Sequence, residues 1–160
     1  MKSLADLRKL IDQKTWDKDV VLWIGPLPPL RELLSTAGHH VTSNEIDLLD
    51  LLSEQSIPDS DEDIGLAIKA RLRSDLQILR SSGTLRRVLI VKSAALLTRY
   101  SVGLKEFFDW FVGDHAMVVL VLDGVPSAPK SLPAEIELRP EWLLRSLHRP
   151  DFAKHVFSAA

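Results

Sequence analysis

The sequence predicts an α/β domain, a three-layer sandwich with a five-stranded, mostly parallel sheet between helices. Three observations lead there. Uninterrupted apolar runs at Val20–Ile24, Val88–Val91 and Met117–Leu122 suit strands covered on both faces. Segments with helical spacing of apolar residues lie between such runs. The 160 residues, 46% of them hydrophobic, suffice for one packed core and are too apolar for a disordered chain. Residues 1–160 are therefore expected to form a single domain.

The elements follow in chain order. Leu4, Leu7, Leu10 and Ile11 sit at helical spacing behind Ser3, a candidate N-cap, so the N-terminal helical region is assigned to 1–18 with its helix over 3–14. The strand Val20–Ile24 stops at Gly25-Pro26-Leu27-Pro28-Pro29. Leu30, Leu33 and Leu34 then open a short helix that ends at Gly38. A short strand is expected at 40–42, and Asn44 is expected to cap a helix over 45–52. Residues 54–63 read as an acidic loop around Pro58. Ile64, Ile68, Leu72, Leu76 and Leu79 form the clearest amphipathic helix, ending near Ser82-Gly83. After Val88–Val91 come an aromatic-rich helix over 104–111, the strand Met117–Leu122, a final strand over 134–138 and a helix over 141–147.

Composition removes several chemistries. The chain contains no cysteine, which excludes disulfides, thiolate metal sites and thiol nucleophiles. No apolar run approaches the roughly 18 residues of a membrane span, and the charged, leucine-studded N-terminus does not read as a secretory signal. A cytoplasmic protein without a membrane partner is the expectation. The five histidines have neither H-x-x-x-H nor H-E-x-x-H spacing, adjacent His39 and His40 would point to opposite faces of a strand, and no metal is expected. No G-x-S-x-G elbow presents a serine.

The net charge of −2 conceals a segregation. Residues 44–63 hold eight acids and no Lys or Arg, whereas 64–105 hold nine bases and one acid, Asp75. Lys69, Arg71, Arg73, Arg86 and Arg87 of that basic stretch, with Arg145 and Arg149 nearer the C-terminus, are candidate contacts for nucleic acid or a protein partner. A solvated helix face explains the same charges equally well. Phe107 and Phe111 share a helical face and suit a core, which leaves Phe108 and Trp110 for an interface.

The junction after Ile24 has the outline of a phosphate-binding loop without its chemistry. In G-x-x-x-x-G-K-[ST], backbone N–H groups cradle phosphates, the Lys neutralises them and the hydroxyl holds Mg²⁺. Here Gly25 stands, but Leu30 occupies the second glycine position, Arg31 the lysine and Glu32 the hydroxyl. Three prolines remove donors that the cradle requires. The second strand ends in Lys92-Ser93-Ala94-Ala95, so Lys92, Ser93 and Ala95 stand where a metal-supporting Asp and a water-polarising Glu would be.

This layout resembles the small P-loop proteins of bacterial BREX phage-exclusion systems. The resemblance covers the N-terminal helix, the strand and loop at 20–32, the leucine-rich acidic segment 44–52, the strand Val88–Val91 with Leu96-Leu97, the helix 106–112, and the strand Met117–Leu122 with Asp123-Gly124. It implies a degenerate fold of the AAA+ and RecA type, with an additional strand between the two Walker motifs. It also implies a cytoplasmic bacterial protein working in antiviral defence beside larger DNA-handling subunits. The expected function is a non-catalytic P-loop-like interaction subunit, a pseudoenzyme with no cofactor, in a defence or DNA-handling complex. Its partners would include an intact ATPase that Arg145 or Arg149 reaches in trans, and it could itself oligomerise. Two alternatives stay open: a nucleotide-binding module or weak ATPase that binds ATP with Arg31 in place of lysine, and a DNA-binding protein using the basic residues of 69–105.

Overall fold

A computed structural model describes residues 2–13, 19–37, 41–53, 60–76, 86–94, 96–97, 100, 102, 116–122 and 156–158. The described elements are α1 (Leu4–Ile11), β1 (Asp19–Ile24), α2 (Leu27–Ser35), β2 (Val41–Asp47), α3 (Leu48–Ser53), α4 (Asp61–Leu76), β3 (Arg86–Lys92), β4 (Ala116–Leu122) and β5 (Val156–Ser158). The five strands form one sheet in the order β2-β3-β4-β1-β5. Every pairing is parallel, so "mostly parallel" becomes wholly parallel for the described strands.

Alternation along the strands divides the core in two. Val21, Trp23, Val88, Ile90, Met117, Val119, Val121 and Phe157 face α1 and α2, where they meet Leu7, Ile11, Leu30, Leu33 and Leu34. Val20, Leu22, Leu89, Val91, Val118, Leu120 and Val156 face the other way, towards Leu48, Ile64, Ile68, Leu72 and Leu76. Apolar side chains thus cover both faces of the central strands, and the three-layer α/β sandwich follows.

Local chemistry fixes the helix ends. The Ser3 hydroxyl accepts the Asp6 N–H while the Asp6 carboxylate accepts the Ser3 N–H, a complete capping box. The first helix ends at Ile11, short of the expected residue 14. α2 starts three residues before the expected Leu30, because Pro28 and Pro29 fit a first helical turn, where N–H groups have no intrahelical partner. It ends at Ser35. α4 begins within the expected acidic loop: Ser60 Oγ accepts the Asp63 N–H, and Asp61, Glu62 and Asp63 form the first turn, complementing the helix dipole. Gly65 allows this helix to approach residue 100, since a Cβ there would lie 2.7 Å from the Tyr100 carbonyl oxygen.

One expectation is overturned. Asn44 does not cap a helix over 45–52; residues 44–47 continue a seven-residue strand, and the helix spans Leu48–Ser53. The reason is tertiary. Pairing with β3 runs from Val41↔Arg86 to Asp47↔Lys92, and it sends Val41 to one core and Ile46 to the other. The fifth described strand is Val156–Ser158, which the sequence reading did not foresee. The expected strand at 134–138, the helices at 104–111 and 141–147, residues 54–59 of the acidic loop, the end of the helix at 77–83 and all five histidines lie outside the described residues. Among the described residues, no helix is long and apolar enough to cross a membrane.

Candidate functional site

The carboxyl ends of parallel strands are where α/β folds bind ligands, at points where successive connections leave on opposite faces. Here α2 follows β1 over one face, whereas the segment after β3 packs Ala94, Leu96, Leu97 and Tyr100 into the other. β4 lies between β1 and β3 and pairs with both. At this end of the sheet the turn after Ile24 and the turn after Lys92, the two stretches singled out by the sequence, both bond to the end of β4, Gly25 to Leu122 and Ala94 to Val121.

The first turn is closed. Gly25 has φ 143°, a conformation that L side chains rarely adopt, and its N–H donates to the Leu122 carbonyl at 3.0 Å. Pro26, Pro28 and Pro29 have no N–H to offer. Leu27 is thus the sole position from 25 to 29 whose amide is neither absent nor committed to the sheet. Trp23, fully buried, donates its indole N–H to the Pro26 carbonyl at 3.0 Å. Leu30 turns into the core with no exposure, so the second-glycine position is filled by an apolar side chain.

Arg31 is turned towards the outer strand β2. Its Nη2 donates to Glu45 Oε1 at 2.7 Å and its Nε to Oε2 at 2.9 Å, a bidentate pair. Lys92 Nζ lies 3.8 Å from the same Oε1. The Arg31 hydrogen bonds hold the Glu45 carboxyl below the usual glutamate range; partial burial opposes this, and the Arg31 and Lys92 charges add to it. The same contact raises Arg31. Glu32, next along α2, is exposed.

The second turn is closed by side chains. Ser93 is the one described non-glycine residue with positive φ, 59°, and it is buried. Its Oγ donates to Asp47 Oδ1 at 2.8 Å, and the same oxygen accepts the Leu49 N–H at 3.0 Å. Ser93 thus sits at the strand end in a strained backbone conformation that no sequence motif announced, and the next amide, that of Ala94, is committed to the Val121 carbonyl at 3.3 Å. Ala95 lies outside the described residues, and no group of three or more potential metal ligands occurs among those described.

The basic stretch is divided. Arg71 Nε donates to both oxygens of Asp75, at 3.1 and 3.2 Å, and so meets the one acid of that stretch, which is 8% exposed. Lys92 faces Glu45 at the carboxyl edge. Lys69 lies in α4, Arg73 in its last turn, and Arg86 and Arg87 at the start of β3, at the opposite end of the strand from Lys92. Arg145 and Arg149 lie outside the described residues. Glu45 and Asp47 are the site residues that sequence reasoning missed. Their signal, acids spaced by two in a strand, was hidden by the assignment of 45–52 to a helix.

No family model matches the chain, and no curated protein shows significant similarity to it.

Proposed function

We propose that this chain is a non-catalytic, P-loop-like α/β subunit that works through interaction with other proteins, without using nucleotide. The observation that carries the reading is the closed turn after β1. A phosphate cradle needs several converging N–H groups, and this turn has three prolines, a glycine amide bound to Leu122 and a carbonyl held by Trp23. The P-loop-like layout draws support from the sheet order, in which β4 lies between β1 and β3, the two strands that lead into the Walker-like turns. The bidentate Arg31–Glu45 pair counts against Arg31 as a lysine substitute. A DNA-binding role for the 69–105 bases draws less support, because Arg71 and Lys92 face acids of the chain itself. On the resemblance, the assembly is a cytoplasmic bacterial phage-defence (BREX-like) or DNA-handling complex that includes an intact ATPase.

Thermal unfolding with and without millimolar Mg-ATP or Mg-ADP tests the reading. Nucleotide at a hundred times its Kd would stabilise the fold by about 2.7 kcal/mol, which is several degrees for a chain of this size. The expected result is an unchanged Tm and no phosphate release above buffer. A rise of several degrees overturns the nucleotide-free reading. In cells carrying such a defence system, deletion of the gene should restore phage plating; unchanged plating removes the defence assignment.

A further inference from the structure

α4 buries one side and leaves the other open. Ile64, Ile68, Leu72 and Leu76 enter the core, while Asp63, Leu66, Ala70 and Arg73 are all exposed. The exposed four recur at spacings of three, four and three, so they form one outward stripe along the helix. Leu66, at 56%, is the one large apolar side chain that is exposed among the described residues.

The two charged members of the stripe are unmet. Neither Asp63 nor Arg73 makes a side-chain hydrogen bond or ion pair among the described residues. Three and four residues on from Asp63 stand Leu66 and Ala67, and three and four back from Arg73 stand Ala70 and Lys69, so the helix itself offers neither an opposite charge. Arg71, by contrast, has Asp75 four residues on and pairs with it. The helix dipole favours an acid in the first turn and a base in the last. Acting along the axis, it does not select the face that both share with Leu66.

The stripe is complementary to itself. Asp63 and Arg73 lie five residues either side of Ile68, and Leu66 and Ala70 two either side. In an antiparallel pairing about a two-fold axis at that level, Asp63 of each copy meets Arg73 of the other, and Leu66 of each meets Ala70 of the other. A large side chain is set against a small one and an acid against a base, each contact made twice, as in an isologous interface. A parallel pairing would instead oppose like charges at both ends.

We propose that the outer face of α4 is a homodimer contact, on which a second copy of this chain docks its own α4 in antiparallel register. This contact does not depend on the nucleotide-free reading, since α4 covers the opposite face of the sheet from α2. The contact is small. A helix of 16 residues is about 24 Å long, and one such pair buries less than the roughly 1,200 Å² of a standard stable interface. The dimer is therefore weak and forms with rising concentration.

Sedimentation velocity of the full chain from about 10 µM to about 1 mM, the range of weak association, tests this. The mean mass should rise from that of one chain towards that of two. Leu66→Ser should weaken association by about tenfold or more, because the two-fold axis removes the apolar contact twice. Asp63→Arg and Arg73→Asp should each weaken it by about tenfold, since like charges then face each other at both ends. An equimolar mixture of those two variants should associate like the parent, because every facing pair again joins an Arg to an Asp. Should a base in the first turn unfold Asp63→Arg, Leu66→Ser and Arg73→Asp still report on the face. A mass that stays that of one chain throughout, single variants that associate like the parent, or a mixture of folded variants that stays monomeric would each overturn the proposal.

Discussion

The turns after β1 and after β3 flank the end of β4 but are finished with different chemistry. After β1, closure is by backbone and an indole: Gly25 bonds to Leu122, and Trp23 holds the Pro26 carbonyl. No ionisable group takes part in those two bonds. After β3, closure is by a buried hydroxyl on a carboxylate, Ser93 on Asp47, with the backbone at φ 59°. The first turn is pre-set by residues within three positions of each other together with one sheet bond. The second exists only if β2 and β3 have come together. At the first turn the Gly25 amide is spent on the sheet, and at the second the Ser93 hydroxyl is spent on a carboxylate from a distant strand.

The largest effect should come from breaking the first closure. Trp23 is fully buried between β1 and the α1–α2 layer. Trp23→Ala should cost about 3–5 kcal/mol by lost packing and the cavity left behind, read as a drop in Tm of about 10 °C or more. Trp23→Phe keeps most of the packing but leaves the Pro26 carbonyl without its indole donor, at about 1–2 kcal/mol. If Trp23→Phe is neutral in denaturant unfolding, the indole bond does not fasten the turn, and the contrast with β3 weakens.

What could be read from the sequence follows the same division. The three central strands were legible because both of their faces are apolar, and Ser3 and the Ile64–Leu76 spacing announced their helices through contacts within a few residues. The edges were not. β2 reads Val-Thr-Ser-Asn-Glu-Ile-Asp, with four of its seven residues exposed, and its assignment depends on the ladder with β3. β5 is only three residues long, too short to display a period. Gly25, Leu30, Arg31, Lys92 and Ser93 were identified as positions, but their partners were not. Glu45 is 14 residues from Arg31, and Asp47 is 46 from Ser93, so neither contact leaves a local pattern.

The second closure can be separated into its bond and its strain. Ser93→Ala removes the hydrogen bond to a carboxylate while keeping the left-handed backbone, and should cost about 1.5–3 kcal/mol. Ser93→Gly loses the same bond but relieves the φ of 59°, so it should be the milder variant by about 1 kcal/mol. Urea unfolding of the pair measures the difference. A glycine variant as unstable as the alanine one would mean that the backbone at 93 stores no strain, and the β3 turn would then be as relaxed as that after β1.

The smallest effect belongs to the contact that joins the two halves, since Arg31 follows the first turn and Lys92 precedes the second. Both meet Glu45, whose carboxyl is held below its usual range chiefly by the two hydrogen bonds from Arg31. A carboxyl with a lower pKa in the folded chain binds fewer protons there than in the unfolded chain. Its stabilisation is therefore fully present above the unfolded value of about 4.3 and is lost as pH falls through the folded value. Asp6, lowered chiefly by the Ser3 backbone N–H, acts in the same acid window but is untouched by changes at Arg31. Arg31→Gln should therefore flatten the fall of Tm below about pH 4.3 relative to the parent, and adding Glu45→Gln should change the profile little more, since only the smaller effect of the Lys92 charge and the opposing burial are then left to remove. The change should be small, because Arg31 is half exposed and solvent screens the pair. Parallel acid profiles for the parent and Arg31→Gln would show that the contact joining the turns contributes nothing in solution, leaving each strand end to be held by its own closure.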